Sequence, residues 1–459
     1  MVSNKTVQQW QQDQLIQLEI TDLSSSGDGV ARLDGKVVFV PDTVTGDRAW
    51  VRLTRIKSQY AHGKLIELLV ASPYRIRPRC IVADKCGGCQ WQHIDWDYQR
   101  QAKRQQVIQA LERIGGFSQP PVASLLHTAY DLNYRNKSTY PLGISATGKV
   151  QAGYYRKGSH QLINLNQCPV QDARLHPLLA EVKQDLQQQG WQIYNEKQHQ
   201  GNLRHLSLRI GTHTGEMLLT LVTTTFELPN LEVQAQAWLK RYPQLVGVCL
   251  NHNPARTNVI FGQQTRVIAG QSYLRELFAG IELRIGADTF FQVNTEAAEL
   301  LLKTIEQKLN LQGNEVLVDA YCGIGTFTLP LARQVQQVIG MEIQAASIAQ
   351  AQVNAEINAI NNVTFVAGAV EKSLSQLEIT PDVILLDPPR KGCEPTVIDT
   401  LLRLQPSCIV YISCQPATLA RDLKLLCQSG IYQIDCVQPA DFFPQTSHVE
   451  SVALLNRQK

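Results

Sequence analysis

The rhythm of apolar and polar positions changes along this 459-residue chain and separates three regions. In the first, short runs predict half-buried strands: Leu15 to Ile20, Val37 to Val40, Ala49 to Leu53 and Gly63 to Leu69. The turn cluster Ser24 to Gly29 and the strand-ending Pro41 punctuate them. Short strands so closely spaced over about sixty residues predict a small β-barrel. A helical pattern follows from Trp96 to Ile114 and stops at Gly115-Gly116, with a linker at Pro120-Pro121. The middle region mixes strands and helices, and Leu206 to Ile210 with Glu216 to Val222 predict a pair of strands around a glycine-containing turn. In the last region strands and helices alternate. Glu315 to Ala320, Val338 to Glu342, Asp382 to Leu386 and Cys408 to Tyr411 are apolar runs, and helical patterns lie between them and from Leu419 to Cys427. That rhythm predicts an α/β fold with a parallel, doubly wound sheet. The expected domains are a β-barrel over residues 12–73, a mixed α+β central domain over 74–285, and a Rossmann-like domain over 286–459.

Composition narrows the class. A hydrophobic content of 44% and a charged content of 18% are those of a globular chain. No apolar run approaches the length of a membrane span, and Met1 to Gln14 is polar with no signal-peptide core, so a cytoplasmic protein with no membrane partner is expected. No obligate protein partner is implied. Eleven cysteines, an odd number, argue against a disulfide framework and for metal binding or catalysis. The net charge of +3 says little, but its distribution says more: Val51 to Gly115 holds twelve Lys and Arg against five Asp and Glu. A local basic excess is the expected footprint of phosphate contacts. Tyr134 to Ser138 and Gly153 to Arg156 interleave basic and aromatic residues, a composition suited both to stacking on unpaired bases and to ordinary half-exposed strands.

Three constellations carry chemistry. Cys80, Cys86 and Cys89 are spaced C-x5-C-x2-C around Gly87-Gly88, and Cys168 is the natural fourth thiolate; zinc and an iron–sulfur cluster both accept such a set. Tyr321-Cys322-Gly323-Ile324-Gly325 follows a strand, and Glu342 ends the next strand about twenty residues on, where a carboxylate suits ribose hydroxyls. The third glycine position of a dinucleotide fingerprint holds no glycine, which argues against a nicotinamide cofactor. Asp387-Pro388-Pro389-Arg390 leaves a later strand at the same carboxyl edge. Cys414 lies between the strand ending at Ile412 and the next helix, a position that suits an exposed nucleophile. A single cysteine is more often a buried apolar residue; its place in this ordered set reverses that reading.

With those motifs the chain resembles the RNA 5-methyluridine (uracil-C5) methyltransferase family. Gly27 to Arg32 and Val38 to Pro41 resemble the RNA-binding TRAM domain, a barrel of the OB type. Asp288 to Asn294, Asp319 to Gly325, Asp387 to Gly392, Ser413 to Thr418 and Phe443 to Glu450 match the family in order, with Gln415 in a place where asparagine is more usual. The resemblance implies S-adenosylmethionine as cofactor, held by Gln292, Tyr321, Glu342 and Asp387. It implies Cys414 as nucleophile and Glu450 as base, and a [4Fe-4S] cluster on Cys80, Cys86, Cys89 and Cys168. The ribosomal branch, acting on 23S rRNA, is the closer match; a transfer-RNA T-loop enzyme is the alternative, and a non-catalytic RNA-binding protein with a structural metal a lower one. Arg390 stands where exocyclic-amine methyltransferases place an aromatic residue and cytosine-C5 RNA enzymes a cysteine. The chemistry agrees: uracil C5 attacks a methyl sulfonium only after a thiolate has added at C6, and a base must then remove the C5 proton.

Overall fold

The computed structural model describes residues 10–458; the polar segment Met1 to Gln9 and Lys459 lie outside the described residues. The chain divides into two units, one reaching Gln106 and including Phe443–His448, the other formed by Val107–Phe442 and the chain from Val449.

The first unit is built on β1 (Leu15–Glu19), β2 (Asp22–Leu23), β3 (Gly29–Leu33), β4 (Lys36–Val40), β5 (Arg48–Ile56) and β6 (Tyr60–Val70), in the order β1-β5-β6-β4-β3-β2. Alternation in β1 and β5 turns Ile16, Leu18, Ala49, Val51 and Leu53 onto one buried face with Val38, Val40 and Ala61. The expected barrel is not closed. Its ladder has two free edges, and the two-residue β2 leaves little backbone for β1 to pair with. After the cysteine loop, α1 (Trp96–Ala110) begins; within this unit its Gln99 accepts the Gln445 amide at 2.9 Å, and Lys103 donates to the Phe443 carbonyl at 2.9 Å.

The second unit opens with a seven-stranded sheet. Its elements are β7 (Lys137–Ile144), β8 (Val150–Tyr155), β9 (Leu162–Asn164), α2 (His176–Gln189), β10 (Leu203–Ile210), β11 (Met217–Thr223), α3 (Leu231–Arg241), β12 (Leu245–His252) and β13 (Gln264–Gly270). The strand order is β13-β12-β11-β10-β7-β8-β9. The predicted pair Leu206 to Ile210 and Glu216 to Val222 is β10 against β11, antiparallel. Leu206, Leu208, Leu219, Leu221 and Leu250 join Leu178, Leu179 and Trp238 from the two helices in one core. A hairpin, β14 (Tyr273–Phe278) and β15 (Ile281–Gly286), follows.

The remaining elements are α4 (Thr295–Leu309), β16 (Val316–Ala320), α5 (Thr328–Ala332), β17 (Gln337–Glu342), α6 (Ala345–Ile357), β18 (Val363–Ala367), α7 (Val370–Ser373), β19 (Val383–Leu386), α8 (Pro395–Leu404), β20 (Cys408–Ser413), α9 (Pro416–Cys427), β21 (Tyr432–Ala440) and β22 (Glu450–Arg457). The sheet runs β18-β17-β16-β19-β20-β22-β21, parallel through β20 and closed by antiparallel β22 and β21. The continuous apolar runs of β16, β19 and β20 are what a sheet covered on both faces requires. The strand order reverses between β16 and β19, and ligands bind at the carboxyl edge beside such a reversal.

Candidate active site

The parallel register decides which residues meet at that edge. Ala320 pairs with Met341 and with Leu386, and Leu386 pairs with Tyr411. Tyr321, Glu342, Asp387 and Cys414 therefore all fall at the carboxyl ends of the strands. Tyr321 has φ +78, Gly323 φ +56 and Gly325 φ +87, so three residues of five turn through the left-handed region. For an aromatic residue that backbone costs about 1–3 kcal/mol, a strain that marks a functional loop. A Cβ at Gly323 would meet nothing within 4 Å, so the loop is open where a ligand would approach. Glu342, half-buried, accepts the Gln344 amide at 2.8 Å. A left-handed glycine loop and a carboxylate one strand away fit a nucleoside cofactor.

Behind them lies a row of carboxyl groups. Asp319, on β16, accepts the Thr328 hydroxyl at 2.5 Å; burial, with Glu342 nearby, pushes its carboxyl up to about 7. Burial pushes Asp387 up as well, with the neighbouring Asp319 adding to the effect. Burial raises Glu450 well above the usual carboxylate range; Asp387 adds to the rise and Arg390 opposes it.

Cys414 stands one residue past the end of β20, at the foot of α9, whose N-cap is Gln415 and whose first residue is Pro416. Ser413 Oγ donates to the Gln415 carbonyl at 3.2 Å, and Thr418 Oγ1 donates to the same carbonyl at 3.0 Å, fixing the turn. Burial pushes the Cys414 thiol up, and the carboxyl groups of Glu450 and Asp387 push the same way. The positive charge of Arg390 opposes them. The helix N-terminus behind Cys414 also favours the thiolate.

Glu450 opens β22 opposite Ala440, one register step beyond the pair Ser413 and Ser451. Only 4% exposed, it is no surface carboxylate. The structure thus gathers Cys414, Glu450, Asp387 and Arg390. Arg390's effect on the thiol is not visible in the sequence, where it stands out only for the residues it excludes.

Gln292 is buried on the segment before α4. Asn136 Nδ2 donates to its carbonyl at 2.9 Å and to Thr295 Oγ1 at 3.0 Å, while buried Arg209 holds Gly286 and Thr289 through their carbonyls at 3.1 and 2.7 Å. These clamps present Phe290 outward, 66% exposed, an aromatic ring that sequence reading passed over.

Cys80, Cys86 and Cys89 lie on the turn-rich loop of the first unit, where the Gly88 amide donates to Cys86 Sγ at 3.4 Å; Cys168 is buried in the second unit. Among the described residues, no group of three or more His, Cys, Asp or Glu side chains is arranged to hold a metal ion.

The model of the family described as tRNA (uracil-5-)-methyltransferase matches residues 154–458, and that of the TRAM domain matches residues 9–66. An uncharacterized RNA methyltransferase of Nostoc sp. is 66% identical over 446 residues, covering 97% of each chain. Another, of Synechocystis sp., is 59% identical over 446 residues, covering 97% of this chain and 96% of its own. The solved structure of Pyrococcus abyssi tRNA (uracil-54, C5)-methyltransferase in complex with S-adenosyl-L-homocysteine matches with a TM-score of 0.77 at 28% identity, covering 96% of this chain and 100% of that one.

Proposed function

The chain belongs to the tRNA (uracil-5-)-methyltransferase family, and from that premise we propose that it methylates C5 of a uridine in 23S ribosomal RNA, with Cys414 as nucleophile and Glu450 as base. It is an S-adenosylmethionine-dependent RNA (uracil-C5)-methyltransferase with an N-terminal TRAM domain. The observation that carries the roles is that Cys414 follows the last residue of β20 and buried Glu450 opens the neighbouring β22, close enough for the carboxyl to raise the thiol and for Arg390 to oppose it.

Bound S-adenosylmethionine supplies an electrophilic methyl group, and Gln292, Tyr321, Glu342 and Asp387 are the residues proposed to hold it. Cys414 adds as a thiolate to C6 of an unstacked uracil, forming an S–C6 bond and moving the ring's π electrons onto C5 and O4. When C5 has gained its methyl group, Glu450 takes the C5 proton. The electron pair of that C–H bond restores the C5–C6 double bond and expels the thiolate. The two groups suit successive turns of duty. The charge of Glu450 disfavours the Cys414 thiolate, and that repulsion is gone once sulfur is a neutral thioether; burial and Asp387 hold the Glu450 carboxyl up, and Arg390 opposes them.

RNA contact is supported on each unit separately. On the first unit's sheet Phe39, Tyr60 and His62 form a mutual ring cluster with centroids 5.6–6.0 Å apart, and Arg32, Arg55 and Lys64 are exposed on the same sheet. Rings among cations suit stacking on unpaired bases. On the second unit, the exposed Phe290 beside Gln292 offers another stacking surface. The cysteines Cys80, Cys86, Cys89 and Cys168 are proposed as ligands of a [4Fe-4S] cluster, with zinc as the alternative; their spacing and thiolate chemistry support this, and no step of the methylation passes through the metal.

A second reading, methylation of a transfer-RNA T-loop, is favoured by the Pyrococcus abyssi enzyme, which acts on tRNA uracil-54. Mapping 5-methyluridine in ribosomal and transfer RNA of a strain lacking the gene tests both. Loss at a 23S site restored by the wild-type gene and not by Cys414→Ala supports the first, loss in the T-loop the second, and loss at neither overturns both. Iron near four per chain in anaerobically purified protein is expected for the cluster, and zinc in its place would reject it.

A further inference from the structure

Asp422 lies on α9, two turns beyond the nucleophile, and nothing in the proposed chemistry uses it. It is 1% exposed, yet it is a carboxyl group, and burying one is costly unless it is fully partnered. Its partners lie on β20, on the loop that follows Arg390 and on α9 itself. Oδ2 accepts the hydroxyl of Tyr411, on β20, at 2.6 Å and the amide of Cys393 at 2.9 Å. Oδ1 accepts Arg421 Nε at 2.7 Å, and Arg421 Nη2 in turn donates to the Lys391 carbonyl at 2.9 Å. Two of three consecutive residues after Arg390 are thereby tied to the helix that follows Cys414. The residue between them, Gly392, packs so closely that a Cβ would stand 2.5 Å from Asp422 Oδ2.

We propose that Asp422 is a positioning residue: by clamping Lys391 to Cys393 against α9 and β20, it keeps the Arg390 guanidinium at the carboxyl edge beside Cys414. The proposal rests on Cys414 being the nucleophile, but the clamp itself is a matter of geometry. Asp387, Pro388 and Pro389 fix one side of Arg390 to the end of β19, and the Asp422 clamp fixes the other, so an exposed arginine on a short loop keeps one place. A residue with only a fold-stabilising role would leave the reactivity of Cys414 untouched in molecules that remain folded. A positioning residue would not. The charged and titratable groups that face the sulfur are Glu450, Asp387 and Arg390, and of these only Arg390 favours the thiolate.

The test is the rate of iodoacetamide alkylation of Cys414 in the full-length protein, followed on its own peptide by mass spectrometry as pH is varied. Asp422→Asn turns one acceptor into a donor, and Tyr411→Phe removes one hydroxyl at nearly constant volume; either is expected to slow alkylation at neutral pH by about tenfold and move its profile to higher pH. Arg390→Ala is expected to do the same, and the double variant Arg390→Ala with Asp422→Asn to be no slower than Arg390→Ala alone. S-adenosylhomocysteine affinity reports whether the cofactor edge survives. An unchanged alkylation profile in folded Tyr411→Phe, or additive effects in the double variant, overturns the proposal, and if Asp422→Asn does not fold, Tyr411→Phe decides. Alkylation needs no RNA, so a shifted profile in a protein that methylates no uridine would sink the proposed function and leave the clamp standing.

Discussion

Cys414 directly follows the last residue of β20 and Glu450 is the first residue of β22: the antiparallel ladder that pairs Cys408 with Asn456 ends at Ser413 and Ser451, one residue short of both. Burial and the Glu450 carboxyl both push the Cys414 thiol up, while the Glu450 carboxyl is itself raised by burial and by Asp387. In the proposed chemistry, thiolate addition to a base removes the charge on sulfur before Glu450 acts.

That coupling has a sign that can be measured. Glu450→Gln removes a carboxyl group that raises the Cys414 thiol, so the thiol should ionise at lower pH than in the wild type and alkylate faster at neutral pH. The same variant lacks a base, so RNA and S-adenosylmethionine should give a methylated covalent adduct visible on a denaturing gel, with turnover reduced by at least about 100-fold. Slower alkylation, or turnover near the wild-type rate, would deny Glu450 its place beside the sulfur.

Asp319 makes stability depend on pH. Its folded carboxyl is pushed up to about 7 from an ordinary value of 3.8, so between those limits the native state binds the proton that the unfolded chain has released. Stability must fall as pH rises across that window, and the contribution is fully present only below it. Asp319→Asn should flatten the fall in melting temperature between about pH 4 and about pH 8 relative to the wild type. An identical slope in the variant would show that Asp319 is ionised in the native state.

Gly392 and Gly430 separate backbone strain from crowding. Both are left-handed, with φ +80 and φ +75, but a Cβ at Gly392 would strike Asp422 and Arg421 at 2.5 and 2.6 Å, whereas one at Gly430 meets nothing within 4 Å. Gly430→Ala should cost about 1 kcal/mol, the left-handed penalty alone. Gly392→Ala should cost clearly more, at least about 2 kcal/mol, and slow Cys414 alkylation as well. Equal losses in urea unfolding would mean that the 391–393 loop moves aside freely.

Sequence reached the parallel sheet because its strands are unbroken apolar runs ending in glycine, acid or proline, a pattern that does not depend on distant partners. It placed Glu342, Asp387 and Cys414 at one edge for the same reason. It reached Glu450 only through resemblance, since the inserted antiparallel β22 brings together residues far apart in the chain. Asp422 was invisible: beside Arg421 it reads as half of a solvated helical pair, and only the fold buries it. The closed barrel failed because alternation predicts strands but not whether the first and last of them meet.

The open sheet of the first unit yields the last prediction. Phe39 and His62 face each other on β4 and β6, with Tyr60 against both, and the neighbouring Arg32, Arg55 and Lys64 are exposed. None of these rings belongs to the buried core formed by Val38, Val40, Ala61 and their neighbours, so replacing them should leave the unit folded. Phe39→Ala with Tyr60→Ala should weaken RNA binding by about 10-fold or more, as expected from losing base stacking at about 1–3 kcal/mol per base. Affinity for S-adenosylhomocysteine should stay unchanged. Lys64→Ala should instead lower affinity modestly and reduce its dependence on salt, because it removes a phosphate contact and no stacking surface. Filter binding across a salt series distinguishes the two, and a double aromatic variant that binds RNA as the wild type does would remove this face from the RNA path.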